Sequence, residues 1–187
     1  MVVSSATERR DRFEAIAAEV YDPLQRYLRR RASAEESGDV FSDVLLTVWR
    51  RLDEVPSDAV LPWSYGVARR TLSHHRRAAQ RNLRLVQRLE SERQQATEGD
   101  PAEALEETDP DLAEALAGLP AADQEILRLW AWEQLEPREI AQALGSTANA
   151  VSLRLSRARK KLAESLTRQD PPPPGHIEEE PAEEQQR

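Results

Sequence analysis

The sequence predicts an all-α protein: two small helical domains joined by a flexible acidic linker, the second containing a helix-turn-helix. Three observations lead there. Apolar residues recur at helical spacing through two separate blocks. Aromatic residues make up 5% of 187 positions, thin for one large core and better matched by two small bundles. Charge, finally, is segregated along the chain. Residues 1–94 carry net +3, residues 95–125 net -10, residues 126–168 net +4 and residues 169–187 net -5. The overall -8 argues against nucleic-acid binding, but the division into two basic blocks, each followed by an acidic one, reverses that.

Composition also excludes several classes. There is no cysteine, so disulfides, Cys-zinc sites and thiol chemistry are ruled out. No apolar run approaches the roughly 18 residues of a membrane span, and Met1 to Arg10 lacks the apolar core of a signal peptide. A cytoplasmic protein without membrane insertion is expected. Lys160 and Lys161 are the only lysines among 26 basic residues, an arginine bias that suggests a GC-rich genome.

The expected domains are residues 8–93 and 112–168, with residues 94–111 as the acidic linker and residues 169–187 as a disordered acidic tail. In the first block, Asp22-Pro23 reads as a helix start, Asp capping and Pro at the first helical position. Leu24, Tyr27 and Leu28 follow at helical spacing. Ser37 or Asp39 is expected to open the next helix, whose stripe is Val40, Val44, Leu45, Val48 and Leu52. Pro56 marks a loop, and Leu61-Pro62 opens a third helix through Val67, Leu72, Leu83 and Val86. In the linker, a short helix is expected at Ala102 to Glu107. The second block divides into helices near 110–117, 121–132, 136–144 and 147–166, ended by Pro171 to Pro174.

The sharpest motif spans Pro137 to Leu162. Ala141, Gly145 and Val151 suit a helix-turn-helix. The small residue lets two helices touch, Gly supplies a left-handed turn, and the branched side chain packs the second helix back. Between Ala141 and Ala163 there is no acid, but there are Arg154, Arg157, Arg159, Lys160 and Lys161. A helical hairpin with a solvated basic face would share the spacing. The missing carboxylates, in an acidic protein, favour a recognition helix, because phosphates repel carboxylates. Asn149, Ser152, Ser156 and Arg157 are expected at base edges, with Arg154, Arg159 and Lys160 on phosphates.

A second acid-free stretch runs from Ala59 to Leu89 with seven arginines, Arg69, Arg70, Arg76, Arg77, Arg81, Arg84 and Arg88. Trp63 and Tyr65 stand at its start. Arginines beside aromatics suit a surface that tracks a phosphate backbone and stacks unpaired bases; Trp63 taken alone reads sooner as a core residue capping a small bundle. His74 and His75 lack a third ligand at metal spacing, so no metal is expected. No phosphate loop or catalytic cluster emerges, and neither an enzyme nor a cofactor is expected.

On these stretches the chain resembles the extracytoplasmic-function class of sigma-70-type factors. Gly38 to Leu52, reading GDVFSDVLLTVWRRL, resembles the family's polymerase-binding helix. Pro62 to Leu72 (PWSYGVARRTL), with Arg76-Arg77 beyond, resembles its helix for the −10 element. Glu139 to Gly145 and Ala150 to Leu162 resemble its −35-binding helix-turn-helix, and Leu119-Pro120 with Ile126 to Leu129 matches the helix before it. The likeness spans roughly residues 11–166. It departs at Ser42-Asp43, where the family often has Gln-Glu, at Ser64 in place of Leu, and at Ala148 to Ala150 in place of Gly-Thr.

The resemblance implies an RNA polymerase sigma factor. Its partners would be the β and β′ subunits of the polymerase core, double- and single-stranded promoter DNA, and an anti-sigma factor. It implies core contacts at Asp39, Val40, Asp43, Leu46, Trp49 and Arg50. The −10 element would meet Trp63, Arg69, Arg70, His74, Arg76, Arg77 and Arg81. The −35 element would meet Asn149, Ser152, Leu153, Arg154, Ser156, Arg157, Arg159 and Lys160. The alternative is a conventional helix-turn-helix regulator whose first block senses or dimerises; an interaction adaptor without DNA affinity is a third. The linker reads as a solvated spacer or as an acidic segment that folds back on either basic face.

Overall fold

The computed structural model describes residues 6–90 and 109–169, and every regular element among them is helical. The first group comprises α1 (Ala6–Arg29), α2 (Ala34–Arg50), a 3-10 turn at Leu52–Glu54 and α3 (Val60–Glu90). The second comprises α4 (Pro110–Ala117), α5 (Ala121–Ala131), α6 (Pro137–Leu144) and α7 (Ala148–Gln169). The expected Ala102 to Glu107 helix, most of the linker and the tail beyond Gln169 lie outside the described residues.

Asp22-Pro23 does not start a helix. Pro23 lies inside α1, which has already run four turns. An interior proline costs about 3 kcal/mol. The stripe Ile16, Val20, Leu24, Tyr27 and Leu28 crosses it unbroken and is buried throughout. At about 1.5–3 kcal/mol per large apolar side chain, that burial outweighs the lost bond. Neither Ser37 nor Asp39 opens α2. Its N-cap is Ser33, whose hydroxyl accepts from the Glu36 amide at 3.3 Å, while Ser37 sits inside the helix and donates to the Ala32 carbonyl. Val40, Val44 and Val48 form the wholly buried face of α2 against α1 and α3. Tyr65, Val67, Ala68 and Leu72 hold the first half of α3 in this core. Beyond Leu72 the helix turns polar, and Leu83 is exposed.

In the second group, Asp109 caps α4, and Glu136 and Glu139 form a capping box around Pro137 at the start of α6. Gly145 ends α6 at φ 66°, and nothing lies within 4 Å of where its Cβ would be. The glycine is there for its backbone angle. Thr147 then opens α7, its hydroxyl accepting from the Ala150 amide at 3.2 Å. Ala141, Val151, Leu155 and Ala158 pack the two helices into the expected helix-turn-helix.

The two groups also pack on each other. At Gly66 of α3, a Cβ would stand 2.8 Å from the Ala143 carbonyl oxygen of α6, so the helices meet backbone to backbone. Beside this contact, the C-terminal end of α1 and the turn after it meet α5 and the turn after it through charge: the Tyr27 hydroxyl donates to Glu125 at 3.2 Å, and Arg31 reaches both Glu125 and Glu133. The buried residues of both groups are therefore one continuous cluster rather than two separate cores.

Candidate nucleic-acid and polymerase interface

The exposed side of α7 is set by what the opposite side buries. Val151, Leu155 and Ala158 face α5 and α6, so at 100° per residue the outward face centres on Asn149, Leu153, Ser156, Arg157 and Lys160. All five are exposed, and Leu153 is 52% exposed despite being apolar. The other expected readers stand on the flanks. Arg154 is drawn toward α5, its Nε 3.3 Å from Asp123. Arg159 lies over Trp130, 4.6 Å from the ring centroid, and Ser152 lines the same groove. The Ser152 hydroxyl donates to the Ala148 carbonyl at 2.8 Å, which leaves it only acceptor capacity toward a base. Lys160 stands 3.8 Å from Glu164. The tethers from Asp123 and Trp130 were not legible in the sequence, because both partners lie on α5.

The arginines of α3 divide in two. Arg70, His74, Arg77 and Arg81 are exposed at successive helical spacings and form a stripe along one face. Arg69 and Arg76 are half-buried. Arg76 donates to the Arg31 carbonyl, and the Nε of Arg69 is buried with no partner among the described residues. Burial and the neighbouring Arg51 and Arg69 lower the pKa of Arg70 below its ordinary value, the mark of a surface already crowded with positive charge. Arg69, Arg70, Arg76 and Arg77 line one shallow groove, a shape that accepts an anionic backbone. Trp63 is half-buried against the core, with Arg51 over its ring at 5.6 Å. Tyr65 is buried against Tyr27, 5.1 Å between ring centroids, and offers no stacking surface.

On α2, Asp39, Asp43, Leu46 and Arg50 recur at positions 0, 4, 7 and 11 and form one exposed stripe. Asp43 pairs with His75 of α3 at 2.7 Å, which ties this stripe to the basic helix beside it. Trp49 lies to one side, edge-on to Phe13 at 5.3 Å and under Arg9, and is 38% exposed. Val40 differs from the rest of the expected contact set. It is wholly buried, so it holds α2 in place and cannot meet a partner.

Among the described residues there is no group of three or more side chains fit to hold a metal, and no helix long and apolar enough to cross a membrane. The described residues thus combine a helix-turn-helix with an arginine helix backed by an acidic-apolar one. Residues 110–162 match the family described as Sigma-70, region 4. The RNA polymerase sigma factor NccH of Alcaligenes xylosoxydans xylosoxydans is 28% identical over 156 residues, covering 76% of this chain and 84% of that protein. Two solved structures share the fold. CnrH in complex with the cytosolic domain of CnrY has TM-score 0.56 at 24% identity, covering 83% of this chain and 88% of that one. The sigma factor RpoE of Bartonella quintana, in complex with the anti-sigma factor NepR, has TM-score 0.58 at 22% identity, covering 83% and 96%. Residues 110–162 thus carry a sigma-70 region 4 domain, and over most of its length the chain is similar to an RNA polymerase sigma factor.

Proposed function

We propose that the three exposed surfaces divide the work of promoter recognition. The stripe of Asp39, Asp43, Leu46 and Arg50, with Trp49 beside it, docks on the β and β′ subunits of the polymerase core. The α3 stripe of Arg70, His74, Arg77 and Arg81 follows the −10 element, and Trp63 at the head of that helix meets bases as the strands part. The α7 face of Asn149, Leu153, Ser156, Arg157 and Lys160 enters the major groove at the −35 element, flanked by phosphate contacts from Arg154 and Arg159. The protein acts by binding alone, without chemistry of its own, in the cytoplasm where polymerase and DNA are. Its boundaries of action are residues 8–93 and 112–168, with the acidic residues 94–111 between them. An anti-sigma factor is the further partner, since the RpoE relative is seen with one.

The observation that carries this reading is the coexistence, in one chain, of an exposed recognition helix free of acids from Ala148 to Ala163 and an arginine helix free of acids from Val60 to Leu89. A regulator whose first block only sensed a signal would have no use for the second. Adding the full chain to sigma-free core polymerase should yield promoter-specific transcripts. Transcripts no different from those of core alone would overturn the assignment.

A further inference from the structure

The second helix group carries an apolar groove whose floor none of the three assigned surfaces uses. It lies between α4, α5 and α7, has a volume of about 640 Å³, and is lined by Leu116, Leu127, Leu155, Leu162 and Leu166. Trp130 and Trp132 stand in its wall, and Trp130 is 38% exposed. Arg128, Arg159 and Lys160 line its edge, and among the described residues no carboxylate does. Glu164 meets Lys160 at 3.8 Å, whereas Arg159 lies over Trp130 with no carboxylate partner among the described residues. Burial lowers the pKa of Arg128 below its ordinary value, so negative charge brought beside it is favoured. A groove with an aromatic wall and a basic edge suits a ligand that is apolar at one end and acidic at the other.

Residues 170–187 follow α7 directly and have that chemistry. Prolines fill positions 171–174, Ile177 is the one large apolar residue, and Glu178, Glu179 and Glu180 come next. Consecutive prolines favour a polyproline II conformation with little entropy left to lose, and aromatic grooves recognise it. The reach also fits. Arg159 lies about 15 Å back from the end of α7, at about 1.5 Å per residue. Residues 170–178 span up to about 30 Å when extended, enough to turn back along α7 and bring Glu178 level with Arg159. Tethering makes even a small contact count. A short link gives an effective concentration on the order of 1 mM, so a contact with a Kd of about 1 mM is about half formed within the chain.

We propose that this groove takes the chain's own residues 171–180, the prolines and Ile177 against Trp130 and the apolar lining, and the three glutamates on Arg159 and Lys160. Docked there, the segment masks Arg159 as a phosphate contact. The masking rests on the assignment of α7 to the −35 element; the docking does not.

Because the chain has no cysteine, Ala182→Cys places a single nitroxide label on this segment in the full chain. The label should broaden the indole N–H signals of Trp130 and Trp132 and spare those of Trp49 and Trp63 in the first helix group. Two further changes test the two ends of the contact. Pro172→Gly, Pro173→Gly and Ile177→Ser together remove the apolar part and leave every charge in place. Glu178→Gln, Glu179→Gln and Glu180→Gln remove the charge. Either set should cut the broadening by about half or more. Broadening equal in parent and variants would mean a segment that is only tethered nearby, and would overturn the docking. Broadening that grows with protein concentration would put a second copy in the groove and overturn it too. The proline and isoleucine set should also raise affinity of the free chain for a duplex of about 25 base pairs by a few fold, more at low salt than at high salt. Its charge is that of the parent, so such a rise reports undocking and not lost repulsion. Reduced broadening with unchanged affinity would overturn the masking of Arg159. Should the parent fail to direct promoter-specific transcription with core, the sigma reading fails, and the broadening still decides the docking.

Discussion

Arg157 and Arg154 carry the same side chain three residues apart, and the structure gives them different surroundings. Arg157 stands on the outward face of α7, whereas Arg154 is held to Asp123 on its flank. We expect Arg157→Ala to weaken binding of the holoenzyme to its selected upstream element by about 1–3 kcal/mol and to erode discrimination against a scrambled duplex. Arg154→Ala should weaken both duplexes alike, as a phosphate contact does. Titrations with matched and scrambled DNA separate the two, and equal behaviour of the variants would place both arginines in one role. The sequence showed which residues of this helix were basic because charge is written residue by residue. It could not show which were tethered, because Asp123 and Trp130 approach from another helix. Val40 was misjudged for a related reason. Phe41, Val44, Leu45, Val48 and Trp49 surround it on more than one helical face, and periodicity alone does not say which apolar face the core takes.

At the scale of one helix, α2 carries a buried side and an exposed side whose substitutions should separate cleanly. Asp39 and Asp43 are exposed, and the Asp43–His75 contact is a surface pair of the kind worth at most about 1 kcal/mol. Changing both aspartates to arginine should abolish capture of core polymerase while leaving the thermal unfolding curve close to that of the parent. Val40→Ala should do the reverse. It removes buried methyl groups from a fully enclosed position and should cost about 1–3 kcal/mol of stability, with core affinity of the folded protein unchanged. A pull-down and a melting curve on each variant check the pair; core binding that survives the double aspartate change would remove α2 from the interface. The helices themselves were legible wherever local signals agreed with packing. Gly145 and the Pro137 start fell where turn chemistry put them. Asp22-Pro23 did not, because five buried side chains across α1 outweigh one missing hydrogen bond.

For the whole molecule, the division into two basic blocks was visible in the charge pattern, but their contact was not. Arg31 and its partners Glu125 and Glu133 are about a hundred residues apart in sequence and belong to no local motif. Two kinds of electrostatics then bear on the free chain, and salt distinguishes them. The Arg31–Glu133 pair is buried, so its attraction is little screened by ions. The net -10 of residues 95–125 acts differently. Attraction of that charge to the basic faces of α3 or α7 would be long-ranged and would fade beyond about 10 Å at 0.1 M salt. Neutralising Glu103, Glu106, Glu107 and Asp109 as amides should therefore raise DNA affinity of the free chain more at low salt than at high salt if the acidic segment competes with DNA. Binding isotherms of the parent and of the amide variant at about 0.05 M and about 0.3 M salt make the comparison. An amide variant whose affinity is unchanged, or shifted equally at both concentrations, would make the acidic segment a tether that plays no part in DNA binding.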